Sequence, residues 1–135
     1  MSLVDELLRL IEDPDDDSTG AYDVVDLIAE NTTDETLVPR LTAELQRFLD
    51  KGDFYGRDVV GDALAGAAGV AALPALIRAA ARDLGDDQDG LSMTIVELVE
   101  AGGPRARAFL RESAADDSPA VRETAEWARG FLPKD

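Results

Sequence analysis

The chain has 135 residues, 29 acidic and 13 basic side chains, a formal net charge of −16, and neither cysteine nor histidine. A chain of this length can enclose a hydrophobic core as one domain without metals or disulfides. The missing Cys and His exclude disulfides, zinc sites built on those residues, thiol nucleophiles and His-based triads. The acidic charge argues against nucleic acids and anionic membranes as partners, because binding to either needs Lys and Arg.

Apolar residues recur at helical spacing along the whole chain, and no alternating, strand-like stretch competes with them. In chain order, eight predicted helices present the apolar faces Leu3, Leu7, Leu10 and Ile11; Val24, Val25 and Ile28; Leu37, Leu41, Leu45, Phe48 and Leu49; Val59, Val60, Ala63 and Leu64; Leu73, Leu76, Ile77, Ala80 and Leu84; Leu91, Ile95, Leu98 and Val99; Ala106, Phe109 and Leu110; and Val121, Ala125, Ala128 and Leu132. The positions expected to be nearly fully buried are Leu41, Leu45, Leu76, Ile77, Ile95, Phe109, Val121 and Ala125.

Three prolines indicate a repeat of helix pairs. Pro39 and Pro74 are 35 residues apart, and Pro104 follows 30 residues later. Each would lie in the first turn of a helix, where a backbone N–H has no helical partner in any case. The tripeptide DVV, at 23–25 and again at 58–60, repeats with the same step of 35. The spacing therefore predicts helix pairs of 30 to 35 residues in preference to a bundle.

The longest apolar run, AGAAGVAALPALIRAA at 65–80, is predicted to be a joint between two repeats. The uncharged stretch around it, 63–77, is shorter than the ~20 residues of a membrane-spanning helix and contains glycine and proline. Gly69 can take a positive φ at a helix end. A flexible linker is less favoured, because Leu73 and Leu76 resume the helical spacing at once.

The beginning of the chain, MSLVDELLRL, lacks the basic region of a signal peptide. We therefore expect a cytoplasmic protein. Arginine outnumbers lysine by 11 to 2, which is typical of a GC-rich bacterial genome.

The segment DSPAVRETAEWARGFL at 117–132 resembles the second half of a HEAT-like repeat, in which Asp and Pro begin a helix and Val-Arg and Ala follow. The segment 56–80 is similar, and the resemblance covers roughly residues 35–132. It implies an all-α fold, with residues 1–135 as a single HEAT-like domain. That domain would be a right-handed α-solenoid of about four antiparallel helix pairs, an α-α superhelix. Some HEAT-like proteins are phycobilin lyases and some helical-repeat relatives are DNA glycosylases, but no catalytic motif carries over.

In such a solenoid, loops within helix pairs lie along one edge and loops between pairs along the other. The loops predicted for the first edge are 13–18, 50–53, 83–89 and 116–118, and those for the second are 30–34, 66–69 and 101–103. The first set contains 12 of the 29 acids, namely Asp13, Asp15, Asp16, Asp17, Asp50, Asp53, Asp83, Asp86, Asp87, Asp89, Asp116 and Asp117. Helix capping explains one or two aspartates per loop, but not three consecutive ones at 15–17.

The second helix of each pair, which lines the inner face of HEAT-like arrays, also carries acids at its polar positions, diluted by Arg57, Arg122 and Arg129. The candidate partner-binding residues are Asp15, Asp16, Asp17, Asp23, Asp26, Asp58, Asp62, Asp86, Asp87 and Asp89. We expect a protein–protein interaction module for a basic protein, in one version an inhibitor or immunity-type protein that masks a basic active site. The alternatives are a lyase-like HEAT-repeat enzyme or enzyme subunit and a plain scaffold, and the acidity could also serve solubility alone.

The sequence matches none of the calcium-loop, catalytic or nucleotide-binding motifs that it was compared with. The loop DPDDDSTGAYDV has Ser18 and Val24 where a calcium loop needs Gly and Glu, and in GDDQDGLSMTIVE the matching Glu97 falls one residue late. No GxSxG, P-loop or GxGxxG motif is present. We therefore predict no catalytic residue, metal or cofactor, favour a binding protein over an enzyme, and expect Trp127 in the core or at a repeat edge.

Overall fold

The computed structural model describes residues 2–133, and within them the chain is all-helical, with no strand, which confirms the all-α class. The α-helices are α1 (Leu3–Ile11), α2 (Thr19–Glu30), α3 (Leu37–Lys51), α4 (Phe54–Ala68), α5 (Leu73–Ala80), α6 (Asp89–Ser113) and α7 (Pro119–Arg129), and a 3-10 helix, Gly69–Ala72, joins α4 to α5. The contacts group into two compact units, an N-terminal unit up to Ala68 and a C-terminal unit from Gly69.

In the N-terminal unit, α4 packs against α1, α2 and α3. Its inward positions alternate small and branched residues, and Gly56, Val60 and Leu64 are all buried. A helix that is buried on most sides suits this central place. Around it, Leu7 of α1 and Phe48 of α3 are fully enclosed, which completes the core of this unit.

In the C-terminal unit, α6 packs against α5, α7 and the 3-10 helix. Its backbone is kinked at Gly103, whose φ of 58° and ψ of −138° are not helical. The sequence predicts a boundary between two helices here. Pro104 directly follows the kink, since a proline fits the first turn after such a break but not a helix interior.

The other two repeat prolines also lie early in helices, as predicted. Pro39 is the third residue of α3 and Pro74 the second of α5. The joint at 65–80 consists of helix, 3-10 helix and helix, and Gly69 has the expected positive φ, 60°. One helical run of the described chain, Phe54–Ala80, is by length and composition apolar enough to cross a membrane. The core helix of a globular protein meets the same criterion. The interpretation of residues 65–80 as a connection between two repeats therefore stays a prediction.

Of the residues expected in the core, Phe109 is the one whose prediction is wrong. It is only half-buried, and the guanidinium of Arg105 lies 5.8 Å from its ring centre. Its neighbour Leu110 is fully buried instead. Ala106 and Leu110, which lie four residues apart, form the centre of the buried face, and Phe109 lies at its margin. The other predicted core residues, Leu41, Leu45, Leu76, Ile77, Ile95, Val121 and Ala125, are buried.

Candidate functional site

The aspartates before α2 hold their own loop together. The carboxylate of Asp16 accepts backbone hydrogen bonds from Gly20 (3.0 Å) and Ala21 (3.1 Å), in the first turn of α2. The carboxylate of Asp17 accepts one from the N–H two residues ahead, at 3.1 Å. Local turns and caps therefore explain two of the three consecutive aspartates, as the sequence analysis allows for a single loop, and leave the third without such a role. Asp15 remains exposed.

The loop between α5 and α6 is built in the same way. Asp86 accepts the backbone N–H of Gln88 at 3.2 Å, and Asp87 accepts that of Asp89 at 3.2 Å. Asp83 does the same for Gly85 at 2.8 Å. The first two turns satisfy backbone donors at the beginning of α6, and the third satisfies one within the loop. The side chain of Asp89 stays exposed in the first turn of α6.

Tyr55, the second residue of α4, lies within electrostatic reach of aspartates in both the loop before α2 and the loop before α4. Burial raises the pKa of Tyr55, and so do the carboxylates of Asp16, Asp17 and Asp53. The acidic-edge prediction requires this proximity of the two loops within the N-terminal unit. That the acidic loops of both units lie along one common edge stays a prediction.

Two of the predicted binding residues on α4 make internal contacts. Asp62 accepts a hydrogen bond of 2.7 Å from the hydroxyl of Tyr22 on α2. Burial and this hydrogen bond raise the pKa of Tyr22, so the phenol stays protonated as a donor. Asp58 accepts hydrogen bonds from Nε (2.9 Å) and Nη2 (2.8 Å) of Arg57. Both carboxylates are half-buried and stabilise the packing of the unit.

Arg57 is fully buried, although the sequence places it among the solvent-facing cations. It is the one buried charged residue among residues 2–133. No buried polar side-chain atom in this described range is left without a hydrogen bond. The one feature of the sequence that could have indicated this burial is the adjacent Asp58, because a buried guanidinium needs a carboxylate nearby.

The outward face of α2, formed by Tyr22, Asp23, Asp26, Leu27 and Glu30, is different. All five side chains are exposed, and their spacing places them on one side of the helix. Within the described structure, no Lys or Arg forms an ion pair with its three carboxylates. Leu27 lies between them with 45% of its surface exposed. We call this surface the α2 face. It contains the predicted binding residues Asp23 and Asp26.

The C-terminal unit has an open cavity of about 270 Å³ beside Trp127. The residues that line it are Ala80, Gln88, Ser92, Glu123, Thr124 and Trp127. Trp127 is 42% exposed and lies edge-on to Phe131, with ring centres 5.2 Å apart. The sequence placed Trp127 in the core or at a repeat edge, and the structure excludes the core.

Comparison of the chain with protein-family models, with curated proteins and with solved structures finds no match. The HEAT-like resemblance therefore stays a prediction from the sequence. Within residues 2–133, no three acidic side chains are grouped so that they could hold a metal ion. Among the described residues, the α2 face and the Trp127 cavity are two surfaces with the chemistry of a binding site.

Proposed function

We propose that this protein binds a basic protein partner, and that the α2 face is its principal contact surface. The observation that carries the proposal is an exposed leucine set among three carboxylates that form no ion pair with a cation of residues 2–133. Such a surface offers both long-range attraction and an apolar contact. The partner that complements it has Lys or Arg side chains around an apolar patch.

The sequence around α2 concentrates negative charge. From Leu10 to Pro39 the chain has ten acids and neither Lys nor Arg. The nearest arginines are occupied elsewhere, since Arg9 pairs with Glu6 and Arg40 pairs with Asp5. The field of the α2 face is therefore not neutralised from within its own unit. A field of this kind raises the association rate of a cationic partner and weakens as salt is added.

Tyr22 and Leu27 distinguish this face from a surface that serves solubility alone. A solubilising face needs only charges, whereas apolar and aromatic side chains at its centre favour a contact that excludes water. Tyr22 is also held in place by its hydrogen bond to Asp62, so little side-chain entropy remains to be lost on binding. Aromatic side chains fixed in this way are frequent among the strongest contributors at interfaces.

The scaffold that we infer for this surface is the HEAT-like, right-handed α-solenoid of about four antiparallel helix pairs. Prolines at the start of α3 and α5, and after the kink of α6, support the repeat interpretation. An inhibitor or immunity-type protein in the bacterial cytoplasm, which masks the basic active site of its partner, is the version that we favour. Fast capture through an acidic surface is what such a role demands.

The test uses a defined probe, a helical peptide with lysines around a leucine stripe, and a scrambled peptide of equal composition. The test variant carries Asp23→Asn, Asp26→Asn and Glu30→Gln. The control variant carries Glu97→Gln, Glu100→Gln and Glu112→Gln, three exposed acids of α6 that give the same change in net charge. Association rates are measured at about 20 mM and about 500 mM salt.

We expect the α2 variant to associate about tenfold more slowly at low salt, and the control variant to change by less than about twofold. The difference should vanish at high salt. Leu27→Ala should leave the association rate unchanged and raise the dissociation rate about fivefold, because its contact forms only in the bound state. Equal effects of the two triple variants, or equal binding of the scrambled peptide, would reduce the α2 face to a source of overall charge.

A further inference from the structure

We propose that the cavity beside Trp127 binds the guanidinium group of an arginine side chain presented by a protein partner. The proposal depends on the proposed function only for the source of that arginine. The cavity lies in the C-terminal unit and involves none of the residues of the α2 face. Its volume of about 270 Å³ is just below the range of roughly 300–1,000 Å³ that encloses a whole small molecule. A single long side chain is of the right size.

Glu123 supplies a negatively charged side chain at the cavity. Its side chain is exposed, and no ion pair joins it to a cation of the described chain. The two arginines of its own helix are engaged elsewhere. Arg122 donates from Nη1 to the carbonyl oxygens of Asp116 (2.7 Å) and Asp117 (3.0 Å). Arg129 pairs with Glu126 at 2.8 Å. The carboxylate of Glu123 is therefore available to an incoming cation.

Trp127 supplies an aromatic surface in the same cavity. Cations are attracted to aromatic faces, and tryptophan is the strongest of the aromatic side chains in this respect. The edge-on contact with Phe131, with an interplanar angle of 67°, supports the indole from one side. A ring supported in this way presents a fixed surface on which a flat group can stack.

Gln88 and Ser92 complete the cavity with hydrogen-bond acceptors. The Nε2 of Gln88 donates to the carbonyl oxygen of Arg82 at 2.9 Å, which leaves its Oε1 as the atom for a ligand donor. The backbone of Gln88 is left-handed, with φ of 58°, an uncommon conformation for a residue other than glycine. Asp86 accepts its backbone N–H at 3.2 Å, so the turn that places Gln88 at the cavity is held by its own hydrogen bond.

These groups favour arginine over lysine. A guanidinium is planar, so it can stack on the indole while its edge donates to a carboxylate and to neighbouring oxygens. An ammonium has neither the flat face nor the forked donors. The combination of Trp127, Glu123 and the Gln88 carbonyl therefore matches a guanidinium in charge, in shape and in number of acceptors.

Trp127 is the only tryptophan of the chain, so its emission reports on the cavity directly. The probe is N-acetylarginine amide, titrated at constant ionic strength and compared with the amides of N-acetylcitrulline and N-acetyllysine. We expect a saturable change with the arginine probe, binding at least about threefold weaker with the lysine probe, and none with the uncharged citrulline probe. Glu123→Gln should weaken arginine binding by about threefold to tenfold. The control Glu100→Gln, an exposed acid of the same unit outside the cavity, should not change it.

Equal responses to arginine and citrulline, or equal losses in the two variants, would overturn the proposal. Equal affinity for lysine would overturn the guanidinium assignment. The two proposals fail separately. If the arginine probe binds at Trp127 but the α2 variant associates with the basic peptide as the parent does, the proposed function alone is refuted. If the α2 variant associates more slowly but the arginine probe does not bind, the cavity proposal alone is refuted.

Discussion

The two units differ in the kinds of side chain that their cores enclose. The N-terminal unit encloses Phe48 and Arg57 completely. The C-terminal unit has only aliphatic side chains in its described core and leaves Trp127 and Phe131 exposed. An enclosed aromatic ring contributes to stability, whereas an exposed pair of rings contributes mainly to what the surface can bind. The difference indicates that the stability of the C-terminal unit depends on branched aliphatic packing, and that its aromatic residues are available for recognition.

The largest effect should come from the aliphatic core of the C-terminal unit. Leu76 and Ile95 are fully buried, so truncation of either to Ala should leave a cavity and lower the free energy of unfolding by ~2–5 kcal/mol. Denaturant unfolding measures this, with the exposed Met93→Ala as a control that should change stability little. A loss below ~1 kcal/mol at both buried sites would mean that the unit does not depend on this packing.

The buried charge of the N-terminal unit should give the next effect. Arg57→Met keeps much of the side-chain volume but removes the hydrogen bonds to Asp58. Loss of one partner of a buried pair typically costs about 3–5 kcal/mol, and we expect about 2–3 because Asp58 retains 27% side-chain exposure to water.

The double variant Arg57→Met with Asp58→Ala separates the pair from the packing. It should recover part of the lost stability, because the carboxylate that accepted from the guanidinium is removed together with it. A double variant that is as unstable as the sum of the two single variants would show that the pair itself contributes little.

A smaller effect should distinguish the two units. It concerns the glycine of each unit that lies closest to a neighbouring side chain. A Cβ on Gly56 would lie 2.2 Å from Cδ1 of the enclosed Phe48 ring, and one on Gly102 would lie 2.5 Å from Cγ2 of Val70. We expect Gly56→Ala to cost about 1–3 kcal/mol. Gly102→Ala should cost less, because Val70 is only half-buried and can shift, which leaves the contact with Cβ of Ala106 at 2.7 Å as the one that resists the change. Thermal unfolding of the two variants checks the order.

A second substitution shows whether the Phe48 ring causes the loss of stability in Gly56→Ala. Phe48→Leu should be better tolerated in the Gly56→Ala background than in the parent, since the shorter side chain leaves room for the added methyl group. A reversed order of the two glycine variants would mean that Phe48 is not held as firmly as its complete burial suggests.

Helices, their proline-marked starts and the turn at Gly69 were predictable, because each depends on a few residues close together in sequence. Phe109 was misplaced because it lies at the margin of a buried face centred on Ala106 and Leu110, and periodicity does not show how far a buried face extends. Arg57 was misplaced for a different reason. Its burial depends on how α4 is surrounded by three other helices, and local spacing carries no such information.

The candidate sites show the same limits. Asp23 and Asp26 lie on an exposed helix face, as their spacing predicts. Asp16 and Asp86 were assigned to binding, yet both accept backbone hydrogen bonds in the loops that they build. A count of charges does not distinguish a carboxylate that closes a turn from one that faces a partner. The Trp127 cavity could not be predicted at all, because its lining combines residues of 80–92 with residues of 123–127, which are far apart in sequence.

The smallest expected effect concerns the N-terminal unit and depends on pH. Asp5 of α1 receives hydrogen bonds from Arg40 of α3 and from Ser2, and these lower its pKa from 3.8 to about 2. Because the folded-state pKa is depressed, the interaction stabilises the fold above the unfolded-state pKa and is lost as the pH falls through about 2. Asp5→Asn should therefore reduce stability near pH 7, and its difference from the parent should shrink between about pH 4 and about pH 2. The reduction should be small, since both side chains are exposed to solvent.

An NMR titration of the Asp5 carboxyl gives the direct measurement, and in Arg40→Ala its pKa should move back toward 3.8, with a smaller movement in Ser2→Ala. A parent pKa at or above 3.8 would show that α1 and α3 are not joined by this ion pair in solution.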